Sequence, residues 1–121
     1  MTLSVDEVET LIARSISGDA DASLQLATHF HVWGDLARAE EFYVVSFGQG
    51  SSYALSGLAD VHLEQGNFPA GIDWLKLACG AGHSLACVRL SLAYAFGDYG
   101  VSPDQETATY FLERTKNAPK P

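Results

Sequence analysis

The chain has 121 residues, 47% of them apolar and 18% charged, with 15 acids against 7 bases and a formal net charge of −8. That is apolar content enough for one packed domain and too little charge for a disordered body. The acidity argues against a nucleic-acid partner, and no stretch approaches the roughly 18 consecutive apolar residues of a membrane helix.

The first predicted element is a capping helix over about 4–17. Ser4 and Glu7 form a capping-box pattern ahead of Val8, Leu11 and Ile12, and Gly18 should end the helix. The residues from Met1 to Glu7 carry neither a basic stretch nor an apolar run, so the expected compartment is the cytoplasm. Three helical hairpins follow, over about 18–49, 50–81 and 82–116. In the first, Ala22, Leu26, Ala27 and Phe30 make an apolar stripe, Gly34-Asp35 breaks it, and Ala39, Phe42 and Tyr43 return. The second runs Ala54, Leu58, Ala59 and Val61, then Gly66-Asn67, then Gly71, Trp74 and Leu75. Asp35 and Asn67 are expected to cap the returning helices through their side-chain oxygens.

The third hairpin carries Ala86, Leu90, Leu92 and Tyr94, then Ala108, Phe111 and Leu112. Its connection, Gly97 to Asp104, is longer, with Ser102 and Asp104 as competing helix starts. The prolines of the tail over 117–121 should fray the end.

A 32-residue step links these segments. It carries Gly18 to Gly50 to Gly82, Ala22 to Ala54 to Ala86, Leu26 to Leu58 to Leu90, and Gly34 to Gly66. Such a period is the mark of stacked helix-turn-helix repeats, whose usual output is a binding surface. Ala22, Ala39, Ala54, Gly71, Ala86 and Ala108 are expected where helices cross, because small side chains let backbones approach.

These residues resemble the tetratricopeptide superfamily, and within it the Sel-one-like repeat. The most specific stretch is 70–112: Trp74-Leu75, Ala78 and Gly82, then Ala86, Leu90 and Tyr94, then the glycine-containing loop from Gly97, then Ala108 and Phe111. The resemblance implies a single all-α domain, a right-handed α-α superhelix of three hairpins behind an N-terminal cap. It implies a bacterial adaptor or scaffold that binds a protein or peptide and is not an enzyme. Placing the family's concave positions on this chain gives Asp21, Thr28, His31, Tyr53, Ser56, Asp60, Glu64, Val88 and Leu92. That surface is acidic at its start and apolar at its end, which suits a basic or amphipathic segment.

Cys79 and Cys87, eight positions apart, are similar to the pair that bridges adjacent helices in the family's cysteine-rich secreted branch. The alternative, two buried reduced thiols, is the expectation for a cytoplasmic chain. The four histidines show no metal-ligand spacing, and no nucleophile or phosphate-loop motif is present, so no cofactor or metal is expected. A narrower version of the adaptor is an immunity or antitoxin-like protein that occludes a basic toxin domain. Two rivals are a hydrolase, by association of some cysteine-rich relatives with penicillin binding, and a homo-oligomer built by stacking end repeats.

Overall fold

The structure, a computed structural model, describes residues 2–117. Within these residues it is all-α, as expected. Its helices are α1 (Val5–Ile16), α2 (Ala20–Val32), α3 (Leu36–Gly48), α4 (Ala54–Glu64), α5 (Phe68–Gly80), α6 (Ser84–Phe96) and α7 (Gln105–Asn117), with a 3-10 turn at Asp98–Gly100. The tail expected to fray lies, beyond Asn117, outside the described residues.

One turn chemistry ends five of the helices. After α1, Gly18 swings to a φ of +100°, and two amides double back. Gly18 N–H donates to the Ser15 carbonyl and Asp19 N–H to the Arg14 carbonyl, each at 3.0 Å. A left-handed residue here satisfies carbonyls the helix end would leave unbonded, and glycine adopts it without a Cβ clash. The same pair of bonds recurs at Gly34, Gly50, Gly66 and Gly82. The turn cadence is therefore sixteen residues, half the step that relates whole hairpins.

In four of these turns the residue after the glycine is also the N-cap of the next helix: Asp19, Asp35, Asn67 and His83. The Asp19 carboxylate accepts from the Asp21 and Ala22 amides at 3.0 and 3.1 Å, and Asp35 accepts from the Arg38 amide at 3.2 Å. Asn67 departs from its expected role: its side chain makes no cap bond and pairs with His62 Nδ1 at 3.3 Å. Pro69, in the first turn of α5, removes one of the amides such a cap would serve. At the N-terminus both halves of the Ser4–Glu7 capping box form, each at 3.1 Å.

The chain divides into two compact units, one ending at Val61 and one beginning at His62, a division that falls within α4. In the first unit α1 packs on α2 and α2 on α3. Leu11, Ala22 and Leu26 form a buried cluster with Leu3, Val8, Phe30 and Phe42 packed against it. The Phe30 and Phe42 rings stack with centroids 5.7 Å apart. A Cβ added to Gly57 would collide with the Tyr43 ring, so a residue without one lets α3 and α4 approach.

In the second unit α5 packs on α6 and α6 on α7. Gly71 leaves room for the Leu63 side chain, Tyr94 stacks on Phe111 at 5.9 Å, and the Ser91 hydroxyl donates to the Ala108 carbonyl at 2.7 Å. All six small residues expected at helix crossings are buried.

The long connection resolves the competition for the start of α7. Asp104 is the cap: its carboxylate accepts from the Glu106 and Thr107 amides and, at 2.8 Å, from the Thr107 hydroxyl. Ser102 lies outside the helix, next to Pro103, which packs so near the left-handed Gly97 that a Cβ there would stand 2.9 Å from Pro103 Cγ. Tyr99, also left-handed at φ 56°, rests on Phe68 with centroids 5.8 Å apart. Leu92, named both in the apolar stripe and among the surface positions, is half exposed, and its neighbour Ser91 is buried.

The structure pairs Cys79 and Cys87, which corrects the expectation of two reduced thiols. Cys79 stands in the last turn of α5 and Cys87 in the first turn of α6, with Cα atoms 4.8 Å apart, inside bridging range. Both side chains are buried. The same place in the first hairpin junction, sixty-four residues earlier, is held by Ser15 and Ser23, whose hydroxyls hydrogen-bond at 2.6 Å.

Candidate partner-binding surfaces

α2, α4 and α6 are related by the 32-residue step, and each presents one face away from its buried stripe. On α2 this face carries Asp21, Leu24, Thr28 and Val32. The Asp21 carboxylate accepts from Gln25 Nε2 at 2.9 Å, while the exposed Thr28 hydroxyl is returned to its own helix, donating to the Leu24 carbonyl at 3.0 Å. His31 is only partly exposed. Its Nδ1 lies 3.0 Å from the Tyr43 hydroxyl and its ring meets Tyr43 edge-on, so it ties α2 to α3 as well as bordering the surface.

On the second segment Tyr53, 59% exposed, precedes α4, with Ser56, Asp60 and Glu64 along the helix and none of them buried. On α6 the corresponding residues are Leu85, Val88, Leu92 and Phe96. Leu85 is 71% exposed and Phe96 73%, beside the half-exposed Leu92. Sequence reasoning named Val88 and Leu92 on this helix and did not name Leu85 and Phe96. Their signal was present: α6 is apolar around most of its circumference, with Arg89 its one charged side chain, and such a helix with one face in the core must expose apolar residues elsewhere.

The N-terminal unit adds residues that the sequence did not single out. Thr28 borders a cleft of about 300 Å³ with Leu3, Leu24, Gln25, His29 and Val32. The wall is mostly apolar, and His29 Nδ1 is buried there without a hydrogen-bond partner among the described residues. An adjoining cleft of about 310 Å³ shares Leu3 and Gln25 and continues along α1 past Asp6, Glu7, Thr10, Leu11 and Arg14.

Charge is divided unequally along the chain. Residues 1–61 hold nine acids against Arg14 and Arg38, a formal −7, whereas residues 62–121 hold six acids against five bases, a formal −1. Arg14 is bonded to Asp19 at 2.7 Å and Arg38 to Asp35 at 2.9 Å, so each of these two cations is already engaged. The first unit therefore presents an acidic surface and the second a nearly neutral one with an apolar face.

Among the described residues no group of three His, Cys, Asp or Glu side chains is placed to hold a metal ion, and no helix is long and apolar enough to cross a membrane. No protein-family model, no curated protein and no solved structure matches the chain.

Proposed function

We propose that this chain is a non-enzymatic interaction module of the Sel-one-like, tetratricopeptide kind. Its partner is a protein or peptide held on exposed helix faces, that of α6 foremost. The observation that carries the reading is the α6 face, where Leu85, Leu92 and Phe96 are each at least half exposed on one helix. Large apolar groups gathered on one face characterise association surfaces more than solvated ones. The residues of α4 at the corresponding positions, Asp60 and Glu64, add charge that would steer a basic partner and raise its on-rate.

The acidity of residues 1–61 favours a narrower version, an immunity or antitoxin-like protein that occludes a basic domain. The Cys79–Cys87 bridge bears on compartment. Disulfides persist in oxidising surroundings, so the bridge favours an exported protein over the cytoplasmic one expected from the first residues.

Affinity capture from the native host, with Leu92→Lys/Phe96→Lys and Asp60→Lys/Glu64→Lys as parallel baits, tests the reading. The native chain should retain a partner that the first pair loses by about tenfold or more, since a desolvated apolar anchor is replaced by charge. The second pair should weaken capture most at low salt. A partner held equally by all three baits, with matching circular dichroism, removes these faces as the site.

A further inference from the structure

The outer face of α2 carries Asp21, Leu24, Thr28 and Val32 at helical spacing, with Gln25 beside them. From Leu24 to Val32 this strip is about 12 Å long. Opposite it stands Leu3, which is held in place because it packs on the buried Leu11, Ala22 and Leu26 cluster. Leu3 and the strip wall the mostly apolar cleft of about 300 Å³. Both walls are formed before anything binds, as in most ligand clefts.

The apolar surface continues past the cleft. Val32 is 68% exposed, and Trp33, 64% exposed, meets the cleft residue His29 edge-on with centroids 6.5 Å apart. His29 Nδ1 is buried yet unbonded among the described residues, and an unspent buried nitrogen beside an apolar wall is uncommon in a finished core. The polar groups at the rim have mostly acceptors left. The Thr28 hydroxyl gives its hydrogen to the Leu24 carbonyl, and Gln25 Nε2 donates to one Asp21 carboxylate oxygen. The other Asp21 oxygen, the Gln25 side-chain carbonyl and the Thr28 oxygen stay open to an occupant. Asp6 and Glu7 add negative charge in the adjoining cleft, and Arg14, the base lining it, is bonded to Asp19.

We infer that this cleft takes a short segment of a partner protein. Leucine-sized side chains of the segment sit between Leu3 and α2, and a lysine or arginine beside them lies over Asp21. Charge selects the base, because lysine and arginine bring only donors, and positive charge, to a rim of acceptors. Size and shape select a peptide chain. About 300 Å³ is at the low end for small-molecule sites, and the cleft is open, with Val32 and Trp33 continuing its apolar surface. An anchor side chain in a pocket, with its chain running on past the rim, is how protein partners use such sites. A second copy would bring a further formal −8 to an acidic surface, which opposes it. The site is separate from the α6 face and stands or falls without it.

The probe is a peptide of about eight residues with two leucines, each followed by a lysine; its twins carry glutamate for lysine or alanine for leucine. Titrated into isotope-labelled native protein and followed by NMR, it should shift the Leu24, Thr28 and His29 amides and the His29 imidazole nitrogens. Its affinity should fall as salt rises, and each twin should bind about tenfold less tightly or worse. Thr28→Tyr, at an exposed position, should fill the cleft and weaken the lysine peptide about tenfold with an unchanged melting curve. Asp21→Asn should narrow the gap between the lysine and glutamate peptides. Leu92→Lys/Phe96→Lys should bind the lysine peptide like the native protein, which separates the cleft from the α6 face.

No shift at these residues with millimolar peptide, equal binding of the lysine peptide and either twin, or native-like binding by both Thr28→Tyr and Asp21→Asn overturns the proposal. So does a native dimer, seen in sedimentation equilibrium, that Thr28→Tyr dissociates, because the cleft would then belong to a second copy.

Discussion

The Arg14 guanidinium, bonded to Asp19, holds that carboxyl below its usual 3.8, with help from the Ala22 amide. The Thr107 hydroxyl, then its amide, lowers Asp104 in the same way. Both aspartates are helix caps, of α2 and α7. Because each folded carboxyl is more acidic than its unfolded counterpart, the stability it contributes is complete above the unfolded pKa of about 4 and is lost as pH falls through the lower folded value. The melting temperature should therefore drop on acidification from about pH 5 to pH 2. Asp19→Asn with Asp104→Asn should flatten that limb, since asparagine caps without titrating. A double variant whose acid limb is as steep as the native one would remove both groups from the account. At this scale the Ser4–Glu7 box and the Asp35 cap were legible in the chain. Asn67 was not, because its side chain had two partners to choose between and the nearer proline disfavoured one.

The helices are set by their ends. Glycines at sixteen-residue intervals stop five of them with the same two hydrogen bonds, and the next residue starts a helix at four of those junctions. Gly48 and Gly50 separate the conformational role from simple smallness, since neither has an atom within 4 Å of an added Cβ. Gly50→Ala, at a φ of +110°, should cost about 1–2 kcal/mol. Gly48→Ala, in helical geometry, should be neutral or stabilise by up to about 1 kcal/mol. Urea denaturation of the two variants decides it, and equal effects would refute the turn explanation.

The α5–α6 junction carries the covalent constraint. Denatured protein isolated without reductant should take up no alkylating agent at Cys79 or Cys87. Reduction, or Cys79→Ser with Cys87→Ser, should lower the unfolding free energy by roughly 2–3 kcal/mol for so short a loop. The spacing of the pair was visible in the sequence; its oxidation was not, because eight residues across a turn suit either a bridge or two packed thiols.

Over the whole molecule, charge is divided unequally while exposed apolar side chains occur on both sides of the division. Nine of the fifteen acids lie before Val61 and six after it, and α6 adds an exposed apolar face to the second unit. Helical period, turn glycines and the repeated step were legible without coordinates because they are local: each depends on residues within one or two turns of one another. For that reason the all-α class, the places of the helices and the burial of Ala22, Ala39 and Leu58 could be read in advance. The sequence by itself determined where helices begin, where they stop and which stripe of each is apolar. Only tertiary structure decided that Leu85 and Phe96 are uncovered, that Cys79 and Cys87 are joined, and that the cleft beside α2 is open. Each of those depends on what a neighbouring helix covers, and coverage is a property of packing between distant residues.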